Sequence, residues 1–150
     1  IHRHTPGWVD WLGIWSEKPA VTVECDFAAM ISPRMFKRFF LPALEQQVRW
    51  VERTIFHLDG PQQIPHLDLL LALPELDGIQ WVPGAGAAPM LEWLPLLKRI
   101  QAGGKRVVIT CEPHEVLQLV NELDPQSVLI STMCSSREQA EQLEEQLVRN

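Results

Sequence analysis

The chain has 150 residues, 46% of them hydrophobic and 21% charged, which supports one packed domain and excludes an intrinsically disordered chain. A formal net charge of −6 argues against nucleic acid or an anionic membrane as the main partner. No apolar run reaches the ~18 residues of a membrane span, no signal-peptide pattern is present, and three widely separated cysteines give no disulfide framework, so a cytoplasmic setting is expected.

The opening Ile1-His2-Arg3-His4 lacks an initiator Met and reads as the start of a piece of a longer protein. Residues 1–20 carry Trp8, Trp11 and Trp15 at helical spacing, which predicts a helix or lid that packs on something else. Val21 to Phe27 is β-branched and follows Pro19, as a first strand should. Ser32-Pro33 then reads as the N-cap and first residue of a helix reaching Val51, with a kink at Pro42.

Thr54 to Asp59 is the second predicted strand, stopped by Gly60-Pro61, and a leucine-rich helix follows over 64–73. Gly78 to Val82 is the third strand, ended by Pro83-Gly84-Ala85-Gly86, and a helix runs from Pro89 to Gly103-Gly104. Arg106 to Thr110 is the fourth strand, before a short helix over Glu115 to Leu123. Ser127 to Met133 is the fifth, and Ser135-Ser136-Arg137-Glu138 opens the last helix as a capping box, with Ala140, Leu143 and Leu147 facing inward. Five β-α repeats predict an α/β domain with a parallel sheet and right-handed crossovers. Doubly wound and barrel arrangements both satisfy the pattern, but five units cannot close a (β/α)8 barrel.

In such sheets the chemistry gathers where strands end and βα loops begin. Those positions hold Glu24, Cys25 and Asp26, then His57 and Asp59, then Gln80 and Trp81, then Cys111 and Glu112, and last Cys134. His57 and Asp59 are two residues apart on one strand, so they share a face about 6.5–7 Å apart and could both reach a metal ion or a substrate. The plainer reading is a buried imidazole near an Asp that caps the next helix. No Cys-x-x-Cys is present. Each cysteine alone reads as a small buried hydrophobe, although Cys134 just ahead of a capped helix is the best placed for a lowered thiol pKa. Gly84 and Gly86 offer backbone amides that could hold an anion, or form a simple tight turn.

Several stretches together resemble the uroporphyrinogen decarboxylase superfamily: Phe56-His57-Leu58-Asp59-Gly60, Ile79 to Gly86, Ile31 to Phe36 with Leu41-Pro42, and Ser131-Thr132-Met133-Cys134 before an acidic helix. The resemblance covers residues 20–150 and implies the C-terminal portion of a (β/α)8 barrel, about five βα units in one partial domain. The superfamily includes the decarboxylase of haem biosynthesis and corrinoid-dependent methyltransferases that use a zinc-activated thiol. The methyltransferase branch carries His-x-Cys on the matching strand and a further Cys before the last helix. It therefore implies His57 and Cys134 as metal ligands, with Asp59 in place of the middle Cys, and zinc as cofactor. The role implied is activation of a substrate thiol that takes a methyl group from a corrinoid.

The decarboxylase branch is matched less well. It implies Glu24 and Asp26 as substrate-facing or catalytic carboxylates in a carboxy-lyase of porphyrin biosynthesis. Under either reading Gln80, Trp81, Gly84, Gly86 and Glu112 are expected to meet the substrate. A third possibility is a non-catalytic partial barrel. Its exposed sheet edges lead to an expectation of self-association, or of pairing with the missing half of the barrel.

Overall fold

The computed structural model describes residues 6–149, so His2 and His4 lie outside the described part. Among the described residues, seven strands and six α-helices follow one another. The strands are β1 (Trp8–Val9), β2 (Trp15–Ser16), β3 (Ala20–Glu24), β4 (Arg53–Asp59), β5 (Gly78–Val82), β6 (Arg106–Cys111) and β7 (Val128–Thr132). The helices are α1 (Pro33–Met35), α2 (Leu41–Val48), α3 (Leu67–Leu71), α4 (Leu94–Ala102), α5 (Val116–Glu122) and α6 (Arg137–Arg149).

Strands β3 to β7 form one parallel sheet in the order of the sequence, β3-β4-β5-β6-β7. The order never reverses, so there is no switch point of the kind that opens a crevice in doubly wound sheets. With right-handed crossovers, an unreversed order sends every helix to the same side. The core agrees. Register places Val23, Phe56, Ile79, Val107 and Val128 in one row across the sheet, and all five pack with Leu44, Leu70, Leu97, Ile100 and Leu119. The next strand positions form the opposite, open face. One of its rows runs Glu24, His57, Gln80, Val108 and Leu129.

The segment around Trp8, Trp11 and Trp15 is an antiparallel hairpin rather than the predicted helix. Its turn is fixed by Asp10, whose Oδ1 accepts the amides of Leu12 and Ile14 at 3.0 Å each, and by Gly13 at φ +77°. It lies against the open face: Asp10 Oδ2 accepts the Thr22 hydroxyl at 2.5 Å, and Trp11 Nε1 donates to the Thr22 carbonyl at 3.2 Å. Trp8 and Trp15 lie on the two short strands and Trp11 in the turn between them, so their helical spacing reflects no helix.

The expected kink at Pro42 takes the form of a π-helical turn over Phe36–Phe40 between α1 and α2, with the Leu41 amide donating to the Phe36 carbonyl. Pro42 has no N–H for the carbonyl four residues back, and a wider turn accommodates that loss. The first strand ends at Glu24, and Asp26–Met30 form a 3-10 helix instead of continuing the expected strand to Phe27. The last helix starts one residue later than the expected box: the Gln139 amide donates to Ser136 Oγ at 3.2 Å, while Gln139 Oε1 reaches back to the Ser135 amide. Its inward positions Ala140, Leu143 and Leu147 are half-buried, as the periodicity predicts.

Candidate functional site

His57 leaves β4 on the open face, in register with Glu24 on β3 and Gln80 on β5. Its Nδ1 lies 2.6 Å from Gln80 Oε1. A carboxamide oxygen only accepts, so this bond places the proton on Nδ1 and leaves the Nε2 lone pair free for a ligand. Gln80 is 9% exposed, which holds its amide firmly behind the ring. The Trp11 ring meets the imidazole edge-on, centroids 5.2 Å apart at 74°. The imidazole is thus held by a hydrogen bond on one nitrogen and an aromatic ring alongside. A cavity of about 450 Å³ opens beside its partner Gln80, between the hairpin and strands β5 to β7, lined by Trp15, Gln80, Val108, Thr110, Leu129 and Ser131 but not by His57 itself.

The charge around this rim is one-sided. The strand ends and loop starts 24–26, 57–60, 80–86, 110–112 and 131–134 contain Glu24, Asp26, Asp59 and Glu112 and no Lys or Arg. Glu24 and Asp26 are exposed, and Asp59 shares the open face with His57, as the alternation requires. A cation formed at His57 therefore has a carboxylate in the neighbouring register position. An anionic ligand meets repulsion.

The remaining expected residues divide between the two faces. Trp81 is fully buried among the helices, its ring 4.9 Å from that of Trp93, and does not reach the open face. Gly84 (φ +91°) and Gly86 (φ +73°) turn an exposed loop past β5. Glu112 is exposed beside a smaller cavity of about 230 Å³ that also touches Pro83, Thr110, Cys111 and Met133. Cys134 lies in a groove with Ile130, Ala140, Leu143 and Leu147, between β7 and α6 on the helix side. Among the described residues, no three His, Cys, Asp or Glu side chains group closely enough to hold a metal ion. His57, Asp59 and Cys134 thus do not fit zinc as a set: two are on the open face and the third lies beneath the last helix.

Cys25 and Cys111 join the partly buried periphery of the core. Burial pushes the Cys25 thiol up, and pushes Cys111 up to about 11, with Glu115 and Glu112 adding to the effect. Both are poor thiolates.

Sequence reasoning missed several buried polar residues that shape the rim. Glu115 Oε1 accepts the Leu91 amide at 3.0 Å and Oε2 the Glu112 amide at 3.2 Å, tying the loop after β5 to the loop after β6. Gln63 Nε2 donates to the Cys25 carbonyl at 3.2 Å, and His66 Nε2 pairs with the Ala28 carbonyl at 2.8 Å while stacking on Phe36. These two fix the loop after β3 against the one after β4. No local signal marks them, because their partners are backbone groups about 40 residues away in sequence. No family model matches the chain, and neither does any curated protein or solved structure.

Proposed function

We propose that the chain is the C-terminal portion of a (β/α)-barrel enzyme of the uroporphyrinogen decarboxylase superfamily, and that it acts in methyl transfer to a thiol. The unreversed strand order with helices on one side supports the barrel reading, since the open face then becomes barrel interior. The observation that carries the chemistry is the 2.6 Å contact between His57 Nδ1 and Gln80 Oε1 on that face. It presents Nε2 as a base in a defined direction.

The step is a proton transfer coupled to substitution. Nε2 takes the proton of the acceptor S–H. The resulting thiolate forms a new S–C bond to the methyl group as the donor's bond to that methyl breaks, its electron pair leaving with the donor. Glu24, in the adjacent register position, stabilises the imidazolium that forms. No step runs through a metal, because Cys134 does not join His57 and Asp59. The acidic rim favours this reading over the carboxy-lyase alternative, whose polycarboxylate substrate would face Glu24, Asp26 and Asp59 without a basic partner.

Because the 150-residue portion alone is expected to be inactive, the test mixes the full-length protein that contains it with methylcobalamin and 2-mercaptoethanol and follows thioether formation. The wild type is expected to exceed the uncatalysed rate, and His57→Gln to lose roughly 100-fold or more of that excess, as removal of a general base does. Equal rates for the two would overturn the role of His57. No rate above background in the wild type would overturn methyl transfer, and so would CO2 release from uroporphyrinogen.

A further inference from the structure

A further cavity lies at the opposite end of the strands from His57. It measures about 320 Å³ and sits between the hairpin and the first residues of β3 to β7, within the size range of small-molecule sites. Its walls are mainly apolar, with Ile14 from the hairpin and Ile55, Val108 and Leu129 from the open face. Gly78 gives it depth. On β5 this position has no side chain, and a Cβ there would come within 3.1 Å of the Arg106 carbonyl.

The rim differs from the interior. Arg53 and Arg106 both line the cavity and are separated by Asp77. Asp77 Oδ2 is committed to the Thr54 amide at 2.8 Å. Its Oδ1 alone faces the two guanidinium groups, at 3.5 Å from Arg53 and 4.0 Å from Arg106. Both distances exceed the roughly 2.7–2.9 Å of a charge-assisted hydrogen bond. The other carboxylate at the cavity, Asp10, keeps its charge, but both its oxygens are held by the Thr22 hydroxyl and two backbone amides, and neither is paired with an arginine. The two guanidinium groups thus have a single carboxylate oxygen between them, at long range, and line the mouth of an apolar chamber.

We propose that this cavity binds a small amphiphilic monoanion, of the class of a medium-chain carboxylic acid. Its hydrocarbon part occupies the chamber and its carboxylate bridges Arg53 and Arg106. The bidentate geometry of guanidinium suits that bridge. This site does not use His57, lies at the opposite end of the sheet, and rests on the hairpin rather than the rest of a barrel covering this end of the open face.

Octanoate, octanol and octylamine serve as probes, titrated into the intact chain while the methyl resonances of Ile14, Ile55 and Val108 are followed by NMR. Octanoate is expected to shift those methyls and to bind at least tenfold more tightly than octanol, with octylamine weakest. Arg53→Gln with Arg106→Gln is expected to bring octanoate down to the level of octanol and leave octanol unchanged. Both arginines are more than half exposed, so the double variant retains the core. Equal binding of the three probes, or octanoate binding insensitive to the two substitutions, would overturn the anion site. Absence of shifts from all three at millimolar concentration would overturn the cavity as a binding site.

Discussion

Lys105 offers the most informative perturbation of the scaffold. It is 6% exposed, and its Nζ donates to the Leu73 carbonyl and, at 2.7 Å, to the Leu76 carbonyl, in the turn that follows α3. Lys105→Met keeps the apolar stem and deletes both donors. Hydrogen bonds from a charged group contribute roughly 1.5–3 kcal/mol each, and buried carbonyls without partners are costly. Relief of the ammonium's desolvation offsets part of the loss, so the net destabilisation is about 2–4 kcal/mol. At roughly 2–4 °C per kcal/mol for a chain of this size, the midpoint falls by about 5–15 °C.

The pH dependence supplies a second check on the same residue. Burial pushes the Lys105 ammonium below its usual 10.5, against the opposing pull of Asp77 and Glu75. Between the depressed folded value and 10.5 the unfolded chain holds a proton that the folded chain has released. Wild-type stability therefore gains from rising pH in that window, a gain the Met variant lacks. Urea unfolding of both proteins from pH 7 to 10.5 should show the wild type's advantage widening as pH rises. A variant as stable as the wild type, or an advantage that narrows toward pH 10.5, would refute the reasoning.

Other expectations follow from single contacts. Glu115→Ala removes the acceptor for the Leu91 and Glu112 amides; it should cost about 1–3 kcal/mol and speed amide exchange at Leu91, whereas unchanged exchange would contradict the tie between the two loops. Cys111, with its thiol pushed up to about 11, should be alkylated by iodoacetamide far more slowly at pH 8 than an ordinary thiol, with the rate still climbing above pH 10; a plateau near pH 9 would contradict its buried, acid-flanked setting. Gly7 has φ +92°, and a Cβ there would come within 2.3 Å of Trp15 Nε1. Gly7→Ala should accordingly displace the hairpin and red-shift tryptophan emission, while an unaltered spectrum would mean that the hairpin does not depend on this approach.

The parallel strands were legible because each is a short apolar, often β-branched run between turn residues, and because strands covered on one side by helices must keep every second residue apolar. The same alternation put His57 and Asp59 on one face, where the structure has them. It also separates Trp81 from Gln80: adjacent residues on β5 point to opposite faces, so the two cannot serve one site. The hairpin escaped because strands of two residues are too short to show a period, and Trp8, Trp11 and Trp15 coincide with helical spacing. Its one local mark is Asp10 three residues ahead of Gly13, a turn signal. Cys134 was placed at the correct end of its strand, but no pattern fixes which side a residue takes once the strand has ended. The buried roles of Lys105, Gln63 and His66 left no local pattern because their partners are carbonyls supplied by segments about 30–40 residues away, whereas Glu115 joins the local Glu112 amide to the distant Leu91 amide.

Side-chain nitrogen NMR of the His57 imidazole at neutral pH tests most directly how Gln80 holds this ring. The neutral ring should be the Nδ1–H tautomer, with Nε2 unprotonated, and Gln80→Leu should abolish that preference while leaving the fold intact. A neutral ring protonated on Nε2, or a tautomer ratio insensitive to Gln80→Leu, would contradict that hold.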